Sequence, residues 1–177
     1  MPRSLEVGPD HLVIDGETFG LAEVVEVHWR VKTTNARGSY LDNSYWFRVR
    51  HGERVVQYGI SPRPGDEALV DTFHRAVALL DSVVCSRIAA EVAARLRAGD
   101  TVTLGPAGAR IELTAAGFRL KKPFSKPVPW DRVGGTELDG GRVFLLVDGR
   151  RHSRVPLEGE NVAVLPHLVG ALSPPAH

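Results

Sequence analysis

The sequence holds one cysteine, Cys85. No intramolecular disulfide can form, and no zinc site with two or more thiolates can be built. Long apolar runs are also missing. The longest, such as Val143-Phe144-Leu145-Leu146-Val147, have five residues, far short of the ~20 that a membrane-crossing helix needs. Neither sign of charge is in excess: 22 basic residues face 21 acidic ones. Divided at Gly99, 12 basic and 13 acidic residues precede it, and 10 and 8 follow. Neither half therefore has the charge excess expected of a general nucleic-acid binder or a polybasic membrane anchor. Lysine is scarce, 4 against 18 arginines, which reads as the coding bias of a GC-rich genome. The start, Met-Pro-Arg-Ser-Leu-Glu-Val, lacks the apolar core of a secretory signal, so the expected compartment is the cytoplasm.

Motifs with chemistry are absent too. The seven histidines, at 11, 28, 51, 74, 152, 167 and 177, never fall at a metal-ligand spacing, so no metal is expected. There is no Gly-x-Ser-x-Gly elbow, and Gly105-Pro-Ala-Gly108 lacks the Gly-Lys-Ser/Thr ending of a phosphate loop. Asp131 with Glu137, or Asp139 with Asp148, are carboxylates at strand ends and Gly turns, and nothing singles them out as an acid–base pair. Cys85 falls near a helical apolar stripe, as a buried thiol would. The expectation is a non-enzymatic protein with no cofactor.

What remains is 43% apolar in 177 residues. That suits one compact domain or two small ones sharing a core, and it is too apolar for disorder. Strand patterns fill the first third: 10–15 and 17–21 around Asp15-Gly16, then 23–32, 43–50 and 54–60. In 23–32, Val25, Val27, Trp29 and Val31 alternate with Glu26, His28, Arg30 and Lys32. Residues 33–43 are polar and read as a loop. From Asp66 to Ala98 the apolar residues Leu69, Phe73, Val77, Leu80, Val84, Ile88, Val92 and Leu96 mark one long helix, with Asp66 as cap and Gly99 as stop. At 1.5 Å per residue it would be ~50 Å long, so a break is expected near 82–86. Otherwise Val84, Ile88, Val92 and Leu96 extend past their own core as an interface, most simply with a second copy of the chain.

Strand signals resume at 101–104, 109–114, 117–121, 128–133, 142–147 and 151–157. A second helix covers 160–172; Pro166 means that it either kinks or starts near Leu165. Residues 173–177 read as a frayed tail. The two halves echo each other. Phe47-Arg-Val-Arg-His-Gly-Glu-Arg54 aligns with Phe144-Leu-Leu-Val-Asp-Gly-Arg-Arg151, and Phe19-Gly-Leu-Ala-Glu-Val24 with Val128-Pro-Trp-Asp-Arg-Val133. The expected fold is α+β: strand-rich units over 1–98 and 99–177, the first ending in the long helix and the second in a short one.

The phrase His11-Leu-Val-Ile-Asp-Gly-Glu-Thr-Phe-Gly-Leu-Ala-Glu-Val-Val-Glu-Val, with Phe118-Arg-Leu and Pro129-Trp-Asp-Arg-Val133, resembles small bacterial domains of pleckstrin-homology-like (PH-like) architecture. The resemblance implies a curved antiparallel sheet or partial barrel closed by a helix. It does not carry inositol lipid as a ligand, because Asp15-Gly16 is acidic where lipid-binding members have a basic hairpin.

Two basic clusters are the positive functional hint. Arg119, Lys121, Lys122 and Lys126 form one, and Arg150, Arg151 and Arg154 the other. Arg48, Arg50 and Arg54 beside Tyr45, Trp46 and Phe47 echo them. Such a protein is expected to bind a protein or peptide, or itself. A nucleic-acid module that uses these basic and aromatic residues on sheet faces is the alternative.

Overall fold

A computed structural model describes residues 4–36, 39–157 and 159–173, with the side chains of 32–43 outside the description. The protein is α+β, and its chain divides into two compact units, Met1–Val84 and Cys85–His177. Among the described residues no helix is long and apolar enough to cross a membrane.

In the first unit β1 (Leu5–Val7), β2 (His11–Ile14) and β3 (Glu17–Gly20) form one antiparallel sheet in chain order. Asp15 and Gly16 both have positive φ (53° and 82°), the two-residue turn that an Asp-Gly pair favours. A 3-10 turn, Leu21–Glu23, leads into a second sheet of β4 (Val24–Ala36), β5 (Ser39–His51) and β6 (Arg54–Ile60). Residues 33–36 and 39–43 are therefore not a loop. Their backbone continues the β4–β5 ladder from Thr33↔Asn43 to Ala36↔Ser39. A hairpin arm held by main-chain bonds needs no apolar face, so its polar sequence concealed it.

The regular alternation expected over 23–32 is also broken. A bulge between Val24 and Glu26 shifts the register. Val24 and Val27 are buried, whereas Val25 and Val31 are exposed. On β5, Tyr45, Phe47 and Val49 face α1 (Glu67–Leu79); Phe73 lies 5.4 Å from the Tyr45 ring and 5.8 Å from Phe47.

From Val102 on, the second unit runs through the same order of elements, with an added short strand and an added 3-10 turn, Val162–Val164, before its helix. β7 (Val102–Leu104), β8 (Ile111–Thr114) and β9 (Gly117–Leu120) pair as a meander. The chain then makes an excursion and returns as β10 (Val128–Pro129) against β9. The 3-10 turn Trp130–Arg132 follows, where an unbroken strand over 128–133 was expected. Next come β11 (Val133–Asp139), β12 (Arg142–Val147) and β13 (Arg150–Pro156). β11, like β4, opens on a bulge, here between Val133 and Gly135. The aligned positions Phe19 and Val128, Leu21 and Trp130, and Val24 and Val133 are all buried. Trp130 Nε1 donates to the Thr114 carbonyl at 2.9 Å, tying the 3-10 turn to β8.

The long helix keeps helical geometry from Glu67 to Arg97, but residues Leu80–Cys85 wind as a π-helix before α2 (Ser86–Arg97). The weak point expected near 82–86 thus takes the form of a wider turn. Asp66 does not cap the helix with its side chain; its Oδ2 accepts from the Arg63 amide instead. Gly99 ends the helix at φ 97°.

The interface expected at Val84, Ile88, Val92 and Leu96 needs correction, because all four are buried within this one chain. Within the second unit, α3 (Leu165–Leu172) packs against α2. The buried Leu165, Leu168 and Val169 supply its apolar surface. α3 starts at Leu165, with Pro166 in its first turn, where a missing N–H costs nothing.

Candidate binding groove

The basic residues singled out in the sequence fall into different surroundings. Arg119 on β9 stands opposite Glu112 on β8, with Nε 2.6 Å from Oε1. That hydrogen bond holds the Glu112 carboxyl below its ordinary value, helped by the charges of Arg119 and Lys121. It holds the guanidinium of Arg119 more firmly protonated in turn. Arg119 is therefore a paired cation. Lys121 and Lys126 are exposed on the excursion between β9 and β10. Arg150 is exposed at the Asp148-Gly149 turn, where Arg132 pairs with Asp148 and lowers that carboxyl's pKa.

Lys122, Arg151 and Arg154 do come together. Arg151 and Arg154 are three residues apart, which on a regular strand would send them to opposite faces. A bulge intervenes: Arg151 pairs with Leu146 and Arg154 with Phe144, so His152 is the extra residue. Their partners are two apart, and both arginines stand on the Phe144 face. The Arg151 guanidinium lies 4.5 Å from the Phe144 ring centre, a cation–π contact. It reaches across β12 to Glu137, accepted at 2.8 Å by Oε2, and to Asp139 at 2.9 Å. The bond from Arg151 holds Glu137 below its ordinary pKa, and the two carboxylates push that of Arg151 upward.

These residues line a groove of about 310 Å³. Leu120 and Lys122 at the end of β9 form one wall, and Phe144 with residues 151–154 form the other. His152 is held by its Nδ1 contact with Ser153 Oγ at 2.7 Å and by edge packing on Phe118. Strand β13 pairs with β12 alone, so it is the edge of its sheet. Lys122 and Arg154 have no ion-pair partner among the described residues. The groove thus combines two apolar side chains, Leu120 and the Arg151-covered Phe144, with two cations free to meet a ligand, a third already neutralised, and a strand edge.

One cluster escaped the sequence reading. On the first unit's β4 and β5, Glu26 and His28 stand opposite Arg50 and Arg48. The sequence sets Glu26 and His28 on the polar side of an alternating strand and Arg48 and Arg50 among the basic residues, yet Glu26 is 7% exposed and His28 1%. Arg50 Nε donates to Glu26 Oε2 at 2.6 Å, and His28 Nε2 donates to Oε1. With that proton committed, Arg48 Nη2, 3.3 Å from His28 Nε2, is drawn to the carboxylate 3.8 Å away. Burial pushes the Glu26 carboxyl up, but the hydrogen bonds and charges of His28 and Arg50 outweigh it, and the net shift is down. A Glu-x-His strand beside an Arg-x-Arg strand was the available signal. Among the described residues no three His, Cys, Asp or Glu side chains converge as metal ligands.

Compared with family models, curated proteins and solved structures, the chain matches none.

Proposed function

We propose that this chain is a non-enzymatic binding module of PH-like type, and that the second unit's groove takes an extended acidic peptide segment of a partner protein. The observation that carries this is the convergence of Lys122 and Arg154 over Phe144 and Leu120, beside the edge of β13. An extended peptide on a sheet edge gains main-chain hydrogen bonds, and alternate side chains reach the groove. Acidic side chains there meet cations with no internal partner, which favours charge-assisted bonds. The sheet-and-helix order of each unit supports the PH-like reading.

The aromatic residues favour a peptide over a nucleic acid. Phe47 is buried, and Tyr45 packs its ring on Phe73 and His74. Base stacking needs open ring faces. Self-association through the helical stripe has no support, because that stripe is buried.

Fluorescence anisotropy tests the reading with three probes: a labelled Asp/Glu-rich dodecapeptide, its Asn/Gln counterpart, and a single-stranded oligonucleotide. The acidic peptide should bind best, and Arg154→Glu or Lys122→Glu should weaken it at least tenfold. Preference for the oligonucleotide, or binding indifferent to both charge reversals, overturns it.

A further inference from the structure

The excursion 121–127 has no counterpart in the first unit. There, β3 ends at Gly20 and the 3-10 turn begins at Leu21; in the second unit, residues 121–129 separate Leu120 from Trp130. The added sequence is Lys121-Lys-Pro-Phe-Ser-Lys-Pro127, with three of the chain's four lysines. No acidic residue occurs between Glu112 and Asp131, and Glu112 is engaged by Arg119.

The tip is a tight turn, with the Ser125 amide bonded to the Lys122 carbonyl at 3.3 Å. Pro123 occupies its second position, and Phe124 its third at φ 61°. A turn with Pro there and positive φ next is one that glycine or asparagine normally completes. A bulky phenylalanine is strained in that conformation. Its ring is also fully exposed to solvent. Phe124 thus bears a conformational cost and returns no packing to its own fold.

From this geometry we infer that the 121–127 loop docks on an anionic lipid bilayer, with Phe124 entering the headgroup–acyl boundary while Lys121, Lys122 and Lys126 meet the headgroups. An aromatic ring suits that boundary. Each lysine near an anionic surface contributes roughly fivefold in affinity at low salt, and the attraction decays within a Debye length. One ring and three lysines give weak, reversible attachment, not anchoring. A bilayer fits better than a protein pocket because the fully exposed ring sits at a turn tip whose loop carries three exposed lysines and no acidic residue, with only Pro123 and Pro127 as further apolar groups. The inference is independent of the peptide groove except for Lys122, so Lys122 is left unchanged in the test.

Cosedimentation with vesicles of phosphatidylcholine alone, or with 30% phosphatidylserine, tests it on the full chain. The wild type should partition into the anionic vesicles only, less so as salt rises. Phe124→Ala should lower partitioning about tenfold, and Lys121→Glu/Lys126→Glu by at least about twenty-fivefold, with unchanged melting temperatures; Phe124→Ala should also leave the anisotropy of the acidic peptide unchanged. Phe124→Trp should add a blue-shifted emission component on anionic vesicles that the wild type lacks. Equal partitioning into both vesicles, variants that bind like the wild type, or an unshifted signal from the introduced indole overturns the inference. Arg154→Glu separates the two sites: it should abolish peptide binding and leave vesicle binding in place.

Discussion

Arg50 Nε donates to Glu26 Oε2 across 2.6 Å, joining β4 to β5 on the face opposite Phe47. Because Glu26 is buried and also accepts from His28, replacing its carboxylate with a neutral amide takes the charge out of both hydrogen bonds. Glu26→Gln should cost about 2–3 kcal/mol, the range for losing a charged hydrogen bond. The folded-state pKa lies below the ordinary 4.5. The carboxylate's stabilisation is therefore complete above that value and lost as pH falls through the lowered one. Urea denaturation from pH 7 to pH 3 should show the gap between wild type and variant narrowing only below about pH 4.5. A constant gap would show that the charge contributes nothing.

Phe73 joins α1 to its own unit's sheet through Tyr45 and Phe47. Phe73→Ala should lower stability by ~3–5 kcal/mol, as truncation of a buried aromatic does. Chemical denaturation measures it, and a shift under 1 kcal/mol would mean that the contact is dispensable.

Gly117 begins β9 where β10 lies against it. A Cβ at that position would sit 2.1 Å from the Val128 carbonyl oxygen and 2.7 Å from the Pro129 Cα. Both obstacles are backbone and cannot rotate away. Gly117→Ala should separate β10 from β9 and lower the melting temperature by ten degrees or more, roughly the effect of 2 kcal/mol on a domain this small. Thermal denaturation followed by Trp130 fluorescence reads it, and an unaltered melting curve would contradict the close approach.

Cys85 is fully buried in the π-wound segment. A thiol reagent should label none of it in the native protein and one equivalent in denaturant. Rapid native labelling would mean that this segment opens.

The sequence was most readable where one residue type has one physical use. Asp15-Gly16 and Asp148-Gly149 announced their turns because both positions need positive φ. Pro166 left two choices for the helix over 160–172, a kink or a start near Leu165, and α3 takes the second. Bulges were illegible. The extra residues beside Val24 and at His152 change which side chains share a face, yet no composition marks them. That is why Val25 was placed with Val27, and why Arg151 and Arg154 could be listed as candidates without their convergence being foreseen. The pairing of 33–36 with 39–43 was hidden because main-chain bonds leave no apolar pattern. The basic clusters were visible as charges, but Arg119 and Arg151 are neutralised by carboxylates on other strands, and counting charge along the chain does not show which strands meet.

The π-wound segment Leu80–Cys85 gives the long helix a tolerance to length that residue identity does not reveal. A π turn holds one residue more than the α turn it replaces. In an unbroken α-helix the loss of one residue rotates everything after it by about 100°. Deleting Ser82, whose side chain is exposed, would instead turn the wide turn into an ordinary one. Ile88, Val92 and Leu96 would keep their inward faces. At position 82, therefore, the loss of a single codon should be accepted, while the gain of one should not.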